Sequence, residues 1–183
     1  MDVVGIGKVA VDLLANVPKI PKEDDRTTIK DYSWQGGGKV PTALVALARL
    51  GAKCGMITIV GDCNYGRFCI EDFKYHGVDV SQIVVDKKGQ TPFSIVLSDD
   101  YTHGRSIMHY PGTCRSLEIS DLDKDYIQSA RYLHLAYGTP ASRQGAIWAR
   151  EKGIPVVFDA DYYRPDIEEM IPLIDVFIAS EFY

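Results

Sequence analysis

The chain lacks an excess of basic charge and lacks any long apolar segment. Its 183 residues carry a formal net charge of −5, which gives no general attraction to nucleic acid or to an anionic membrane surface. The apolar residues 3–17 are interrupted by Lys8 and Asp12 and include neither a basic leader nor a small-residue cleavage site. We therefore expect a cytoplasmic protein with no membrane and no nucleic-acid partner. The net charge does not exclude an anionic substrate, since a few local Arg and Lys residues could hold one.

Cysteine and histidine are also sparse. The four cysteines, Cys54, Cys63, Cys69 and Cys114, include no Cys-x-x-Cys pair, and no two of the four histidines have metal-ligand spacing. These absences fit a reducing compartment and predict no metal site built by this chain. Internal repeats and low-complexity tracts are missing too. The 46% of hydrophobic and 25% of charged residues are the usual balance of a globular fold.

Short apolar strands alternate with helical patterns over much of the chain. The strands are expected at residues 3–6, 56–60, 83–85, 132–136, 155–158 and 176–179. The helices are expected at residues 43–50, 66–76, 117–130, 141–152 and 166–171. Such alternation is typical of a parallel sheet covered by helices on both faces. The sequence therefore predicts an α/β fold.

Four further strands have a different pattern. Residues 9–13, 29–34, 93–97 and 105–110 alternate between apolar and polar side chains, which indicates strands buried on one side only. A half-polar strand inside a doubly covered sheet would bury its polar face. We therefore assign these four strands to a small second sheet that projects from the main one.

The most informative segment is a run of three glycines, Gly36 to Gly38, followed by Lys39 and a helical pattern. Glycines let a backbone approach a ligand closely, and a helix start offers unpaired N–H groups. A plain strand-to-helix turn needs fewer glycines, so we favour a ligand site. The segment is not a Walker A loop, because Val40 follows the lysine where Ser or Thr belongs.

A second glycine motif, Gly5-Ile6-Gly7, loosely fits the dinucleotide-binding fingerprint. That fingerprint must open a helix, whereas the residues after Gly7 alternate like a strand. A nicotinamide-dependent enzyme is therefore kept only as a third hypothesis.

Residues 37–51 resemble the N-terminal signature of the ribokinase-like (PfkB) family of carbohydrate kinases. That signature is a Gly-Gly pair leading into a small-residue helix that ends Ala-Arg-Leu-Gly. Further agreements in order and spacing are Gly7 with Asp12, Val60-Gly61-Asp62 with Gly66, Gly77-Val78-Asp79, Thr91, Gly104-Arg105, and Phe158-Asp159-Ala160-Asp161 with Arg164-Pro165. The resemblance implies a Rossmann-like core with a projecting β-sheet lid, and phosphorylation of a sugar hydroxyl by ATP with Mg²⁺.

The resemblance also implies roles for residues on the substrate side. Asp12 would accept hydrogen bonds from sugar hydroxyls, and Gly37, Gly38 and Lys39 would lie along the sugar. Thr42 stands where many members have a substrate-contacting Asn, although helix packing is an equally good reading of this residue.

Two arginines and two carboxylates complete the candidate set. Arg105 and Arg164 stand where some members hold acidic or phosphorylated sugars, with a solvated surface charge as the alternative for each. Asp161 and Glu181 would lie on the nucleotide and phosphate side. The segment between Asp159 and Pro165 is one residue longer than the commonest form, which weakens the assignment of Arg164.

The catalytic Gly-Ala-Gly-Asp segment that the resemblance implies is missing from the 183 residues. The family's Asn-x-x-Glu region reads Ser180-Glu181-Phe182-Tyr183. We expect the substrate-binding part of a sugar kinase, with the core at residues 1–7, 36–86 and 112–183, lid strands within 8–35 and 90–111, and the ATP-binding part absent. Alone it should be inactive, and a homodimer through the lid is plausible. The alternative is a non-catalytic sugar- or nucleotide-binding module. The sugar itself stays open between ribose-like, fructose-like, nucleoside and 2-keto-3-deoxy acid substrates.

Overall fold

Ten strands form two sheets within residues 1–181, the part of the chain that this computed structural model describes. In chain order they are β1 (Val3–Ile6), β2 (Ala10–Val17), β3 (Asp31–Gly37), β4 (Cys54–Gly61), β5 (Ile83–Asp86), β6 (Phe93–Asp99), β7 (Arg105–Tyr110), β8 (Tyr132–Leu135), β9 (Val156–Ala160) and β10 (Val176–Ala179).

The larger sheet, here the core sheet, has the strand order β10-β9-β8-β1-β4-β5, and all neighbours are parallel. All four residues of β1 are buried, and seven of the eight residues of β4 are. Strands that are apolar on both sides fit a sheet covered on both faces. The edge strand β10 differs, because its four residues are exposed.

Helices cover the two faces of the core sheet. They are α1 (Lys39–Arg49), α2 (Asn64–Tyr75), α3 (Lys124–Gln128), α4 (Pro140–Glu151) and α5 (Pro165–Glu168). Helices α1 and α2 bury residues such as Leu44 and Phe73 with Met56 of the sheet, and α3 and α4 bury others with Leu133 on the opposite face. Gly5 lets α1 approach closely, since a Cβ there would sit 2.5 Å from Val40 Cγ1. The predicted α/β fold is confirmed.

The smaller sheet, here the lid sheet, has the order β3-β2-β6-β7. Strands β2 and β6 are parallel, and the outer pairs are antiparallel. These are the four strands with half-polar patterns, so the prediction of a separate small sheet is confirmed. The strands β2 and β3 are longer than predicted, and Gly36 and Gly37 end β3 rather than forming a loop. Gly38 then turns the chain into α1 with a φ of 105°, a conformation that favours glycine.

The helix predicted over residues 117–130 is wrong. Only a 3-10 turn, Ile119–Asp121, and the short α3 form there. Arg115 donates two hydrogen bonds to Asp121, at 2.6 and 2.8 Å, and Asp121 caps the 3-10 turn. Leu122 is then extended, and Asp123 starts a new helix by accepting a hydrogen bond from Tyr126 N. Local side-chain bonds of this kind compete with a continuous helix.

Within residues 1–181, no helix is both long and apolar enough to cross a membrane.

Candidate substrate site

The carboxylate of Asp12 lies against Gly37. In the lid sheet Ala10 pairs with Gly37 and Asp12 with Gln35, so all of them face one side. A Cβ atom on Gly37 would sit 2.1 Å from Asp12 Oδ2, so a side chain there would displace this carboxylate. The structure therefore brings together two predicted site residues that lie 25 positions apart. Their role toward a sugar stays a prediction.

A cavity of about 150 Å³ opens at the carboxyl ends of β1, β4 and β8. Its lining includes Gly7, Lys8, Arg115, Tyr137 and Thr139. Open α/β sheets bind ligands at this end of their strands. Gly38, the last residue of the glycine run, lies beside this cavity. A Cβ atom on Gly38 would sit 2.5 Å from the carbonyl oxygen of Lys8, a residue of the cavity lining.

Three cations surround the ring of Tyr137. Its centroid lies 4.7 Å from the guanidinium of Arg164, 4.9 Å from Lys39 Nζ and 5.6 Å from Lys8 Nζ. The negative face of an aromatic ring attracts cations at such distances. We call Lys8, Lys39, Tyr137 and Arg164 the cation cluster. Burial raises the pKa of Tyr137, and the charge of Asp161 adds to this effect.

Lys39 and Asp161 form an ion pair within the cluster, with 2.5 Å between Nζ and Oδ1. Burial pushes the pKa of Asp161 upward, but the contact with Lys39 outweighs it and leaves that pKa below its usual value. Asp161 was predicted on the nucleotide side and Lys39 on the substrate side. The structure places the two together, and their roles toward substrate and nucleotide stay predictions.

Arg164 is fixed in place. Its Nη2 donates to the carbonyl oxygen of Ala136 at 3.0 Å, and its Nε lies 3.4 Å from Asp166 Oδ1. Asp166 in turn accepts a hydrogen bond from Gly138 N. The alternative of a freely solvated surface arginine does not match this geometry, despite the extra residue in the segment before it.

Three other candidates lie away from the cluster. Thr42 is exposed on α1 and lines a second cavity, against the side of β3 that carries Gly36. Arg105 is exposed at the far end of β7, where it pairs through Ser98 with Asn16 rather than with Asp12. Glu181 is exposed at the end of the described residues, and Phe182 and Tyr183 lie outside them.

Sequence reasoning did not single out Lys8 and His109, which lie beside the predicted site residues. Lys8 follows Gly7 directly after β1, and this position at a strand end was the available signal. His109 lies level with Asp12 across the lid sheet through Ser94, and its Nδ1 is 3.2 Å from Ser94 Oγ. The pairing of the strands places His109, and not Arg105, level with Asp12. The side-chain pattern along the sequence does not show this.

A magnesium site is not evident in the described part of the chain. Residues 1–181 contain no group of three or more His, Cys, Asp or Glu side chains arranged to hold a metal ion. Asp161 is already paired with Lys39. The described residues therefore do not fit a complete magnesium site, and we derive no chemical step through one.

Comparison with protein families identifies the class. Residues 1–182 match the model of the pfkB family carbohydrate kinases. The chain is 32% identical over 174 residues to 5-dehydro-2-deoxygluconokinase of Geobacillus kaustophilus, which covers 90% of this chain and 50% of that protein. It is 29% identical over 139 residues to mouse ketohexokinase, covering 76% and 46%. The chain belongs to the pfkB family of carbohydrate kinases.

Solved structures agree on the fold. A PfkB protein from Polaromonas sp. JS666 superposes with a TM-score of 0.80 at 23% identity, covering 98% of this chain and 65% of that one. A ribokinase from Arabidopsis thaliana, complexed with ribose and ATP, gives 0.79 at 19% identity, covering 97% and 59%. The chain spans about half the length of the curated relatives that it matches.

Proposed function

We propose that this chain is the substrate-binding part of a kinase that phosphorylates a sugar acid. The observation that carries the proposal is the cation cluster beside the Asp12–Gly37 contact. Asp12 would accept hydrogen bonds from the sugar hydroxyls, and the cluster would hold the substrate carboxylate. Cations and carboxylates form the stronger, charge-assisted class of hydrogen bonds.

The cluster has unused capacity for an anion. Within residues 1–181 Lys8 has no ion-pair partner, while Lys39 and Arg164 have one each. The atoms Lys39 Nζ and Arg164 Nε are also buried without a well-directed hydrogen bond. Each of them already lies near a carboxylate, Asp161 for Lys39 and Asp166 for Arg164. A bound carboxylate would therefore be held mainly by Lys8.

The relatives support an acidic substrate without deciding it. Several at 31–32% identity are named 5-dehydro-2-deoxygluconokinase, a name that denotes a sugar acid. Mouse ketohexokinase is named for a neutral ketose. The cation cluster favours the acidic case here, because the exposed Lys8 has no ion-pair partner among the described residues and can meet a carboxylate.

ATP and Mg²⁺ would be required by the complete enzyme. Phosphoryl transfer needs a positioned base and electrostatic stabilisation of the transferring group. The 183 residues contain no Gly-Ala-Gly-Asp segment to supply them, so we propose that this chain alone binds sugar without phosphorylating it. We also propose the core and lid boundaries given above, with the lid extended to Gly37 because Gly36 and Gly37 belong to β3. A homodimer through the lid sheet and a reducing, cytoplasmic setting that suits its four free cysteines complete the proposal.

The test is calorimetric titration of the 183-residue chain with 2-keto-3-deoxygluconate, ribose and fructose. We expect the sugar acid to bind about tenfold or more tightly than either neutral sugar, a difference of about 1.4 kcal/mol. Lys8→Gln should reduce that preference, while Lys124→Gln, a matched change on α3, should leave it. Equal affinity for all three sugars would contradict the acidic substrate, and turnover of any of them with MgATP would contradict the inactive-chain proposal.

A further inference from the structure

A second cavity, of about 440 Å³, lies behind the glycine run between α1, α2 and β3. We call it the rear cavity. Gly36 and Gly37 face opposite sides of β3, so Gly37 meets Asp12 while Gly36 meets the rear cavity. A Cβ on Gly36 would sit 2.6 Å from Asp72 Oδ2. The volume of the rear cavity lies within the range of small-molecule sites in proteins.

The walls of the rear cavity are amphipathic. Val9, Val45 and Phe73 give it an apolar lining, and the indole of Trp34 stands in its wall with 43% of its surface exposed. Polar groups, among them Gln35 and Asp72, share the lining with these apolar side chains. An apolar wall with an exposed indole fits a flat ring, because such rings stack on aromatic side chains.

Asp72 supplies the polar anchor. Among the described residues its carboxylate accepts no hydrogen bond, and the nearest basic side-chain atom, His76 Nε2, is 3.7 Å from Oδ1, beyond hydrogen-bond range. A half-buried carboxylate with free lone pairs favours a ligand that donates N–H groups. Thr42 and Arg49 line the same cavity and can donate to ring nitrogen atoms.

We propose that the rear cavity binds a flat heteroaromatic ring that carries an exocyclic amino group. The ring lies on Trp34, the amino group donates to Asp72, and Thr42 and Arg49 meet the ring nitrogen atoms. The site is separate from the sugar cleft, since Asp12 and the cation cluster are not part of its wall.

The probes are adenine and purine, which differ only in the exocyclic amino group. The chain has two tryptophans, so Trp148→Phe leaves Trp34 as the only indole reporter. Titration of that variant should quench its fluorescence with adenine at about tenfold or more lower concentration than with purine. No quenching up to the solubility limit, or equal affinity for both bases, would overturn the proposal.

Asp72→Asn, made in the same background, should abolish the preference for adenine. Glu71→Gln is the matched control, because Glu71 is the neighbouring exposed carboxylate and pairs with Lys74 at 2.8 Å. It should leave both affinities unchanged. Far-ultraviolet circular dichroism establishes that each variant is folded. If Asp12→Asn, and not Asp72→Asn, removes adenine binding, the ligand lies in the sugar cleft and the proposal is wrong.

Discussion

The core sheet and the lid sheet are built from the same apolar residue types but bury them differently. Ile57 in β4 is fully buried, whereas Ile107 in β7 is 55% exposed. The core sheet has helices on both faces, and β7 is exposed at five of its six positions. We therefore expect stability to reside mainly in the core sheet, while the lid sheet carries Asp12, for which we propose a role in binding. This division is typical of folds that hold function on segments positioned by a rigid scaffold.

The largest expected effect tests that division directly. Ile57→Ala removes methyl groups from a closed cluster and should lower the free energy of unfolding by about 2–5 kcal/mol. Ile107→Ala makes the same chemical change on the lid and should cost less than about 0.5 kcal/mol. Urea unfolding followed by circular dichroism measures both. Equal losses would show that the lid sheet is packed as tightly as the core.

A smaller effect is expected from replacing Asp12, which should weaken sugar binding without changing stability. Asp12→Asn should weaken sugar binding about tenfold or more, since hydrogen bonds to a charged group contribute about 1.5–3 kcal/mol each. Its urea midpoint should not move. Asp100→Asn changes a lid carboxylate that pairs with Lys30 instead, and it should leave binding intact. Calorimetric titration with 2-keto-3-deoxygluconate checks both variants, and unchanged affinity in Asp12→Asn would remove this residue from the site.

The difference between the two sheets can largely be predicted from the sequence. The spacing of apolar side chains along a strand depends on whether one or both of its faces are buried. Strands β2, β3, β6 and β7 alternate, and that alternation alone separates them from the core. The contact of Asp12 with Gly37 agrees with the family resemblance, which implies that both residues lie along the sugar. The position of Arg105 does not follow, because its distance from Asp12 depends on the pairing of β6 with β7. The break near Asp121 depends on one bidentate arginine, which periodicity does not detect.

We expect the free energy of unfolding to depend moderately on pH, because the core contains a buried histidine. His134 in β8 is 7% exposed, and burial lowers its pKa although Asp159 opposes this. The folded state therefore favours neutral His134. The unfolded chain takes up a proton near the ordinary pKa of about 6.5 while the folded chain does not, so stability falls as the pH drops below that value.

Urea unfolding at pH 7.5 and 5.5 measures this loss. His134→Leu should reduce the difference between the two pH values, whatever its effect at either one alone. His103→Asn is the control on the exposed lid, and asparagine suits the positive φ of 57° at that position. The same pH dependence in His134→Leu as in the natural chain would place its origin elsewhere.

The smallest effect on folding is expected at two exposed side chains of the outer lid strands β3 and β7. Tyr32 and Met108 lie on the same face, 64% and 52% exposed, and neither belongs to the core clusters. Replacing each by Ser should change the free energy of unfolding by less than about 0.5 kcal/mol in the monomer.

If the lid pairs between two copies, these side chains are buried in the dimer and the same changes should favour the monomer. Sedimentation across a range of protein concentrations distinguishes the two cases. A shift in association without a shift in unfolding would assign this face to the dimer, and no shift in either would leave the lid face without a role in assembly.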